Sequence, residues 1–132
     1  MKMTKGVHHI ALKCKGMEQF EKTIHFYRDL LGMEVVRSWG AEPNCGIMLD
    51  IGNGSVMEIF SNAEEQLGLG TIRHFALVVE DVDACAKVCE DAGYDVFTKP
   101  TDIVIASEKP FPARIAFVTG PVGEEVEFFC EK

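Results

Sequence analysis

Val7-His8-His9-Ile10-Ala11-Leu12-Lys13-Cys14 and, further along, Ile72-Arg73-His74-Phe75-Ala76-Leu77-Val78-Val79 are two versions of one pattern. Each reads as a β-strand, and each is followed by an amphipathic stretch that ends in glycine, at Gly32 and at Gly93. His9 matches His74, Ala11 matches Ala76 and Leu12 matches Leu77. Self-similarity at a long period marks two copies of one supersecondary unit.

The first amphipathic stretch puts Met17, Phe20, Ile24, Tyr27 and Leu31 on one helix face. The second puts Val82, Cys85, Ala86, Cys89 and Ala92 on another. Gly32 and Gly93 suit the C-terminal caps, where glycine takes the left-handed conformation cheaply. A strand is expected after each cap, over 33–37 and 94–98. Two more follow in each half, over 46–51 and 55–60, then over 114–118 and 125–130. Asn53-Gly54 is a strong hairpin signal for the first pair. Gly120-Pro121-Val122-Gly123 joins the second. The polar stretch Ser61 to Thr71 reads as the joint between the halves.

The expected class is therefore α+β: two tandem βαβββ modules, about 5–62 and 71–132, in a single domain over 1–132. A module of roughly 60 residues buries little core alone. Two modules whose curved mixed sheets enclose a shared cleft is the expected architecture.

Composition narrows the function classes. The chain has 132 residues, 47% of them hydrophobic, and a formal net charge of −8. An acidic surface repels phosphate backbones and anionic lipid, which argues against nucleic acid and membrane partners. No apolar run approaches the roughly 20 residues of a membrane span, and the N-terminus carries no signal-peptide pattern, so a cytoplasmic location is expected. Five cysteines, widely spaced, read as free thiols of a reducing compartment. Cys85 and Cys89 are spaced for a metal or redox pair, but they lie on the apolar helix face and read better as buried small hydrophobes.

Strand alternation then separates two faces. His9 goes with Ala11 and Lys13, and His8 with Ile10, Leu12 and Cys14. His74 goes with Ala76 and Val78, while Phe75, Leu77 and Val79 form the greasier face that the helix should cover. Glu58 in Val56-Met57-Glu58-Ile59-Phe60 and Glu127 in Val126-Glu127-Phe128-Phe129 are carboxylates inside apolar strands. Burying one is costly unless it is paired or bound to a metal. Here the oddity occurs at matching places: 74 − 9 = 65 and 127 − 58 = 69. One strand histidine or one such glutamate is more often structural, but four at corresponding positions call for one cause. His9, Glu58, His74 and Glu127 make an N2O2 set suited to a divalent Ni, Co, Zn, Mn or Fe ion. Arg114 reads either as a surface residue or as a contact for a substrate anion, and Trp39 as a pocket wall or as packing. Ser107 to Arg114, with two prolines and Phe111, reads as a semi-rigid loop.

These residues resemble the vicinal oxygen chelate superfamily, and within it glyoxalase I (lactoylglutathione lyase) of the short bacterial type. The resemblance runs from about Val7 to Glu131. It rests on His9 in His-Ile-Ala-Leu, on Phe26-Tyr27-Arg28-Asp29-Leu30-Leu31-Gly32-Met33-Glu34, and on Glu58 in Met57-Glu58-Ile59-Phe60. It continues in His74 of His-Phe-Ala-Leu-Val-Val-Glu-Asp, in Ala116-Phe117-Val118 and in Glu127. It implies isomerisation of a methylglyoxal–thiol hemithioacetal to a 2-hydroxyacyl thioester through an enediolate. It further implies one divalent ion per site, Ni or Co by preference, and a homodimer in which the site forms within one chain or between two. By the same resemblance Glu127 is the catalytic base and ligand, with Glu58 as its pseudo-symmetric mate. Lys13 falls where the family has an Arg for the glutathione carboxylate, and Asn62 where it has an Asn for the same group. Lys for Arg gives up bidentate recognition, which leaves the thiol open. The last turn carries Gly-Pro-Val-Gly where the family has Asp-Pro-Asp-Gly. Alternatives in the same superfamily are a CoA-thioester epimerase, a dioxygenase and a metal-free binding or resistance protein. The Glu at 58 speaks against the first two, and the full set of four ligands speaks against the third.

Overall fold

The computed structural model describes the whole chain, Met1–Lys132. It divides into two compact units between Leu67 and Gly68, inside the expected joint. In the first unit β1 (His9–Lys13) leads into α1 (Gly16–Ile24), a π-helical extension (His25–Leu30), β2 (Val35–Ala41), β3 (Asn44–Gly52) and β4 (Ser55–Phe60). In the second, β5 (His74–Val78) leads into α2 (Val82–Asp91), β6 (Thr98–Ile105), β7 (Phe111–Thr119) and β8 (Glu125–Glu131). The sheets are ordered β1-β4-β3-β2 and β5-β8-β7-β6. The first strand of each runs parallel to the last, and the other pairings are antiparallel. The class is α+β, and the modules are tandem βαβββ units.

The alternation read from sequence places the core. Ile10 and Leu12 turn inward on β1 while His9, Ala11 and Lys13 stay exposed. On β5 Leu77 is 6% exposed and its neighbour Val78 is 91% exposed. α2 packs on β6, β7 and β8, and α1 on β4. Val118, Val126 and Phe128 are fully buried in the second unit, and Leu49, Met57 and Ile59 in the first. Each such side chain contributes about 1.5–3 kcal/mol when removed from water. The thiols at Cys14 and Cys89 are buried, and burial pushes Cys89 up to about 12, as suits an inert core thiol. All five cysteines are free. No helix is long and apolar enough to cross a membrane.

Four local expectations are corrected. The first helix does not stay α-helical to Gly32. Leu31 N–H donates to the Phe26 carbonyl five residues back, at 3.1 Å, and this wider turn swings Phe26 into the core beside Tyr27. Their rings meet edge to face at 4.8 Å, and Leu31 is left only half-buried. The strand expected over 33–37 begins at Val35 and runs on to Ala41. The strand expected over 94–98 is absent before Thr98, because Tyr94 N–H closes the end of α2 on the Cys89 carbonyl. In its place β6 occupies the sheet edge, where Pro100 sits at a register shift that spares it a ladder hydrogen bond. Finally, β7 begins at Phe111, inside the stretch read as a loop.

Candidate metal centre

The parallel register of β1 on β4 sets Ala11 opposite Glu58 and Lys13 opposite Phe60. That of β5 on β8 sets Ala76 opposite Glu127. Residues directly opposite share a face, so each histidine, two residues before its alanine, faces the same way as its carboxylate. In the first unit His9 Nε2 stands 3.6 Å from Glu58 Oε1. In the second His74 Nε2 stands 3.3 Å from Glu127 Oε1. The carboxylate side chains are 14% and 11% exposed and the imidazoles 42% and 40%, so acids at the sheet floor meet rings open to a ligand. Burial pushes the Glu127 carboxyl above its ordinary value, and attraction to His74 works the other way without cancelling it.

Both separations exceed the 2.7–3.2 Å usual for an N–H···O hydrogen bond. Two donors each about 2.1 Å from one ion stand about 3.0 Å apart at a right angle and about 3.4 Å apart at the tetrahedral angle. The His74–Glu127 pair at 3.3 Å falls within that span and the His9–Glu58 pair at 3.6 Å just beyond it, and their N and O donors suit a first-row divalent ion. No group of three or more His, Cys, Asp or Glu side chains is arranged to hold a metal, and each His–Glu pair offers two donors.

Lys13 lies on the Glu58 face by register, exposed and without an ion pair. Asn62 bridges to Lys15 just beyond β4 and is likewise exposed. Arg114 sits elsewhere. It lies opposite Cys130, on the reverse of the sheet from Glu127, whose partner is Phe117. Its guanidinium donates to Asp83 at 2.6 and 2.8 Å and to Asp102 at 3.1 Å. These contacts tie α2 to the sheet.

Two features escape the sequence. Alternation assigns His8 to the face opposite His9, but β1 starts at His9 and alternation does not bind the residue before it. His8 Nδ1 lies 2.9 Å from His9 Nδ1, on the far side of the ring from Glu58. On the second unit His74 is held differently, edge-on to Phe117 at 5.1 Å. The other feature is Trp39, whose indole lies over Gly46 so closely that a Cβ at 46 would collide with it. A glycine inside a strand is the available signal.

A model of the Glyoxalase/Bleomycin resistance protein/Dioxygenase superfamily matches residues 6–128. No curated protein matches the sequence. Among solved structures, SMU.1112c is 27% identical with a TM-score of 0.69, over 97% of this chain and 99% of that one. A glyoxalase family protein from Enterococcus faecalis is 22% identical with a TM-score of 0.68, over 97% and 99%. Glyoxalase I from Zea mays is 22% identical with a TM-score of 0.70, and the match covers 93% of this chain but 43% of that one. The last two likenesses concern the fold alone.

Proposed function

The chain belongs to the glyoxalase/bleomycin resistance protein/dioxygenase superfamily, and from that premise we propose that it is a metal-dependent isomerase of the glyoxalase I type. Its substrate is the hemithioacetal of methylglyoxal and a thiol, and its product a 2-hydroxyacyl thioester. The observation that carries this reading is the repeated His–Glu pair, at 3.6 Å in one module and 3.3 Å in the other. Neither pair completes a site, and together they supply the N2O2 set of one divalent ion, Ni or Co in the first instance. The four donors come from one chain or from two chains of a cytoplasmic homodimer.

When bound, the ion supplies Lewis-acid polarisation of two vicinal substrate oxygens. Glu127 then takes the proton from C1 of the hemithioacetal and returns it at C2. Two protons relocate in the net reaction: Glu127 carries the carbon-bound proton from C1 to C2, and the hydroxyl proton passes from the C1 oxygen to the C2 oxygen through the enediolate, so no oxidant or reductant is needed. Burial of Glu127 makes it a stronger base than an exposed carboxylate, in the direction general-base catalysis at neutral pH favours. Glu58 is the second carboxylate on the opposite half, and His9 and His74 keep both acids oriented. Exposed Ala11 and Ala76 leave the space beside the carboxylates free for substrate. Lys13 and Asn62 hold the carboxylate of the thiol arm, with Lys13 a point charge and not a fork.

The test is an assay of metal-reconstituted protein with methylglyoxal and a panel of thiols, following thioester formation, with Glu127→Gln as control. Metal-dependent thioester formation that the variant abolishes supports the reading and identifies the thiol. Stoichiometric metal binding with no turnover on any thiol overturns it and makes CoA-thioester epimerisation the next assay.

A further inference from the structure

Two rows of side chains cross the Glu58 face of the first sheet. Register places Ala11, Glu58, Met48 and Arg37 in one row, and Lys13, Phe60, Gly46 and Trp39 in the next. The second row has an uncommon centre. Gly46 presents no side chain, and the Trp39 indole occupies the vacated space, its Cε2, Cζ2 and Nε1 all standing where a Cβ at 46 would be. Phe60 meets the indole with centroids 6.0 Å apart and planes at 70°. Yet Trp39 remains 40% exposed, so one aromatic surface is packed on the sheet and another is open. The flanking cations, Lys13 and Arg37, make no ion pair, although the chain is acidic at −8. A tryptophan needed only for the core would bury its ring, and cations needed only for the fold would find carboxylates among this surplus.

We propose that the Trp39–Gly46–Phe60 platform is a specificity element that stacks a planar aromatic group carried by an anionic substrate whose vicinal oxygens lie at His9 and Glu58. The inference rests on the metal-site reading above and adds the substrate class: an aryl-substituted 2-oxo or 2-hydroxy compound is preferred to its methyl analogue. Stacking on the open indole supplies the preference, and Lys13 and Arg37 supply the complementary charge. The second module lacks the platform, because the residue at the place of Gly46 is Ile115, two before Phe117 as Gly46 is two before Met48.

Trp39 is the chain's one tryptophan, so its fluorescence reports the platform directly. The experiment titrates zinc-reconstituted full-length protein with mandelate and with lactate, two 2-hydroxy acids that differ in phenyl against methyl. The same titration is run without added metal. The expected result is fluorescence quenching by mandelate and affinity about tenfold above lactate. Calorimetry on Trp39→Leu should bring the two affinities to within about twofold of each other. Gly46→Ala, which unseats the indole while keeping it, is the second variant and should weaken mandelate alone. Equal affinities for the two acids, binding of neither, or a phenyl preference that survives Trp39→Leu and Gly46→Ala overturns the inference. A phenyl preference with no turnover of phenylglyoxal or methylglyoxal hemithioacetals leaves the platform standing and removes the glyoxalase reading. If zinc does not bind, the metal-free titration decides the platform by the same comparison.

Discussion

Ala76 stands directly opposite Glu127 in the parallel register of β5 and β8, so the most buried carboxylate of the chain has a methyl group for its cross-strand neighbour. The same relation holds between Ala11 and Glu58. In a sheet where β-branched and aromatic residues are the usual partners, two alanines at the matching place keep the space over both carboxylates open. Replacing Ala76 by Leu, on an exposed position, should leave unfolding free energy within about 0.5 kcal/mol. It should lower kcat/KM of the metal-loaded protein about a hundredfold by displacing substrate. Chemical denaturation and steady-state kinetics check the two halves separately, and unchanged kinetics would show that the space is not used.

His8 touches the His9 nitrogen that faces away from Glu58. A ligating imidazole whose other nitrogen is engaged is fixed in tautomer and orientation, and losing such a partner commonly costs about 10–100-fold in metal affinity. His8→Ala should therefore weaken metal binding by about tenfold in chelator competition. His8→Gln, which keeps a hydrogen-bonding group, should recover most of the loss. Equal affinities for all three proteins would reduce His8 to a surface residue.

Much of the fold and of the candidate site is legible in the sequence, and the reason is the repeat. His9, Glu58, His74 and Glu127 can be paired from the amino-acid order alone because their neighbours align, and period-two alternation then puts each pair on one face. What stays hidden depends on geometry without periodicity. The π-helical turn at His25–Leu30 preserves an amphipathic pattern, so Phe26 cannot be told from a surface residue. β6 carries Pro100 and Asp102, both weak strand formers, so its sequence gives no strand signal, and its edge position is what accommodates them. His8 and Trp39 lie beyond alternation altogether, the first before a strand start and the second over a glycine on the neighbouring strand. Arg114 is ambiguous in sequence because its partners Asp83 and Asp102 are distant along the chain.

Glu127 carries a stability signature that the metal-free protein can show. Burial raises its carboxyl above the ordinary value, so ionisation costs folding stability in the metal-free protein. For a raised acid that cost is absent below the ordinary carboxylate range and complete above the raised value. Metal-free Glu127→Gln should accordingly be more stable than wild type at neutral pH, by about 1 kcal/mol. The advantage should shrink as pH falls through the carboxylate range. Thermal unfolding of both proteins from acid to neutral pH measures it, and a destabilised variant at neutral pH would show that the ionised Glu127 costs the fold nothing.

Arg114 predicts the opposite sign. Its guanidinium holds Asp83 below the usual carboxylate range, and Lys132 with Arg114 does the same for Asp102. Depressed acids contribute stability that is present above their ordinary range and lost as pH falls through the lowered values. Arg114→Met should thus lower Tm by about 3 °C at neutral pH and low salt, and the difference should fade in strong acid or high salt. Activity should be unchanged, since the side chain lies on the reverse of the sheet from Glu127. A loss of turnover with intact Tm would return Arg114 to the substrate site.

If the two His–Glu pairs serve one ion, the metal stoichiometry of the chain follows from it. Full-length protein is dialysed to equilibrium against Ni or Co and the bound metal is counted, for wild type, His9→Ala and His74→Ala. The expected result is one ion per chain in wild type and a large loss of affinity in each variant, whichever half is altered. Two ions per chain, one of which survives each substitution, would mean that each pair is a site of its own. Metal retention untouched by either substitution would mean that these residues are not ligands.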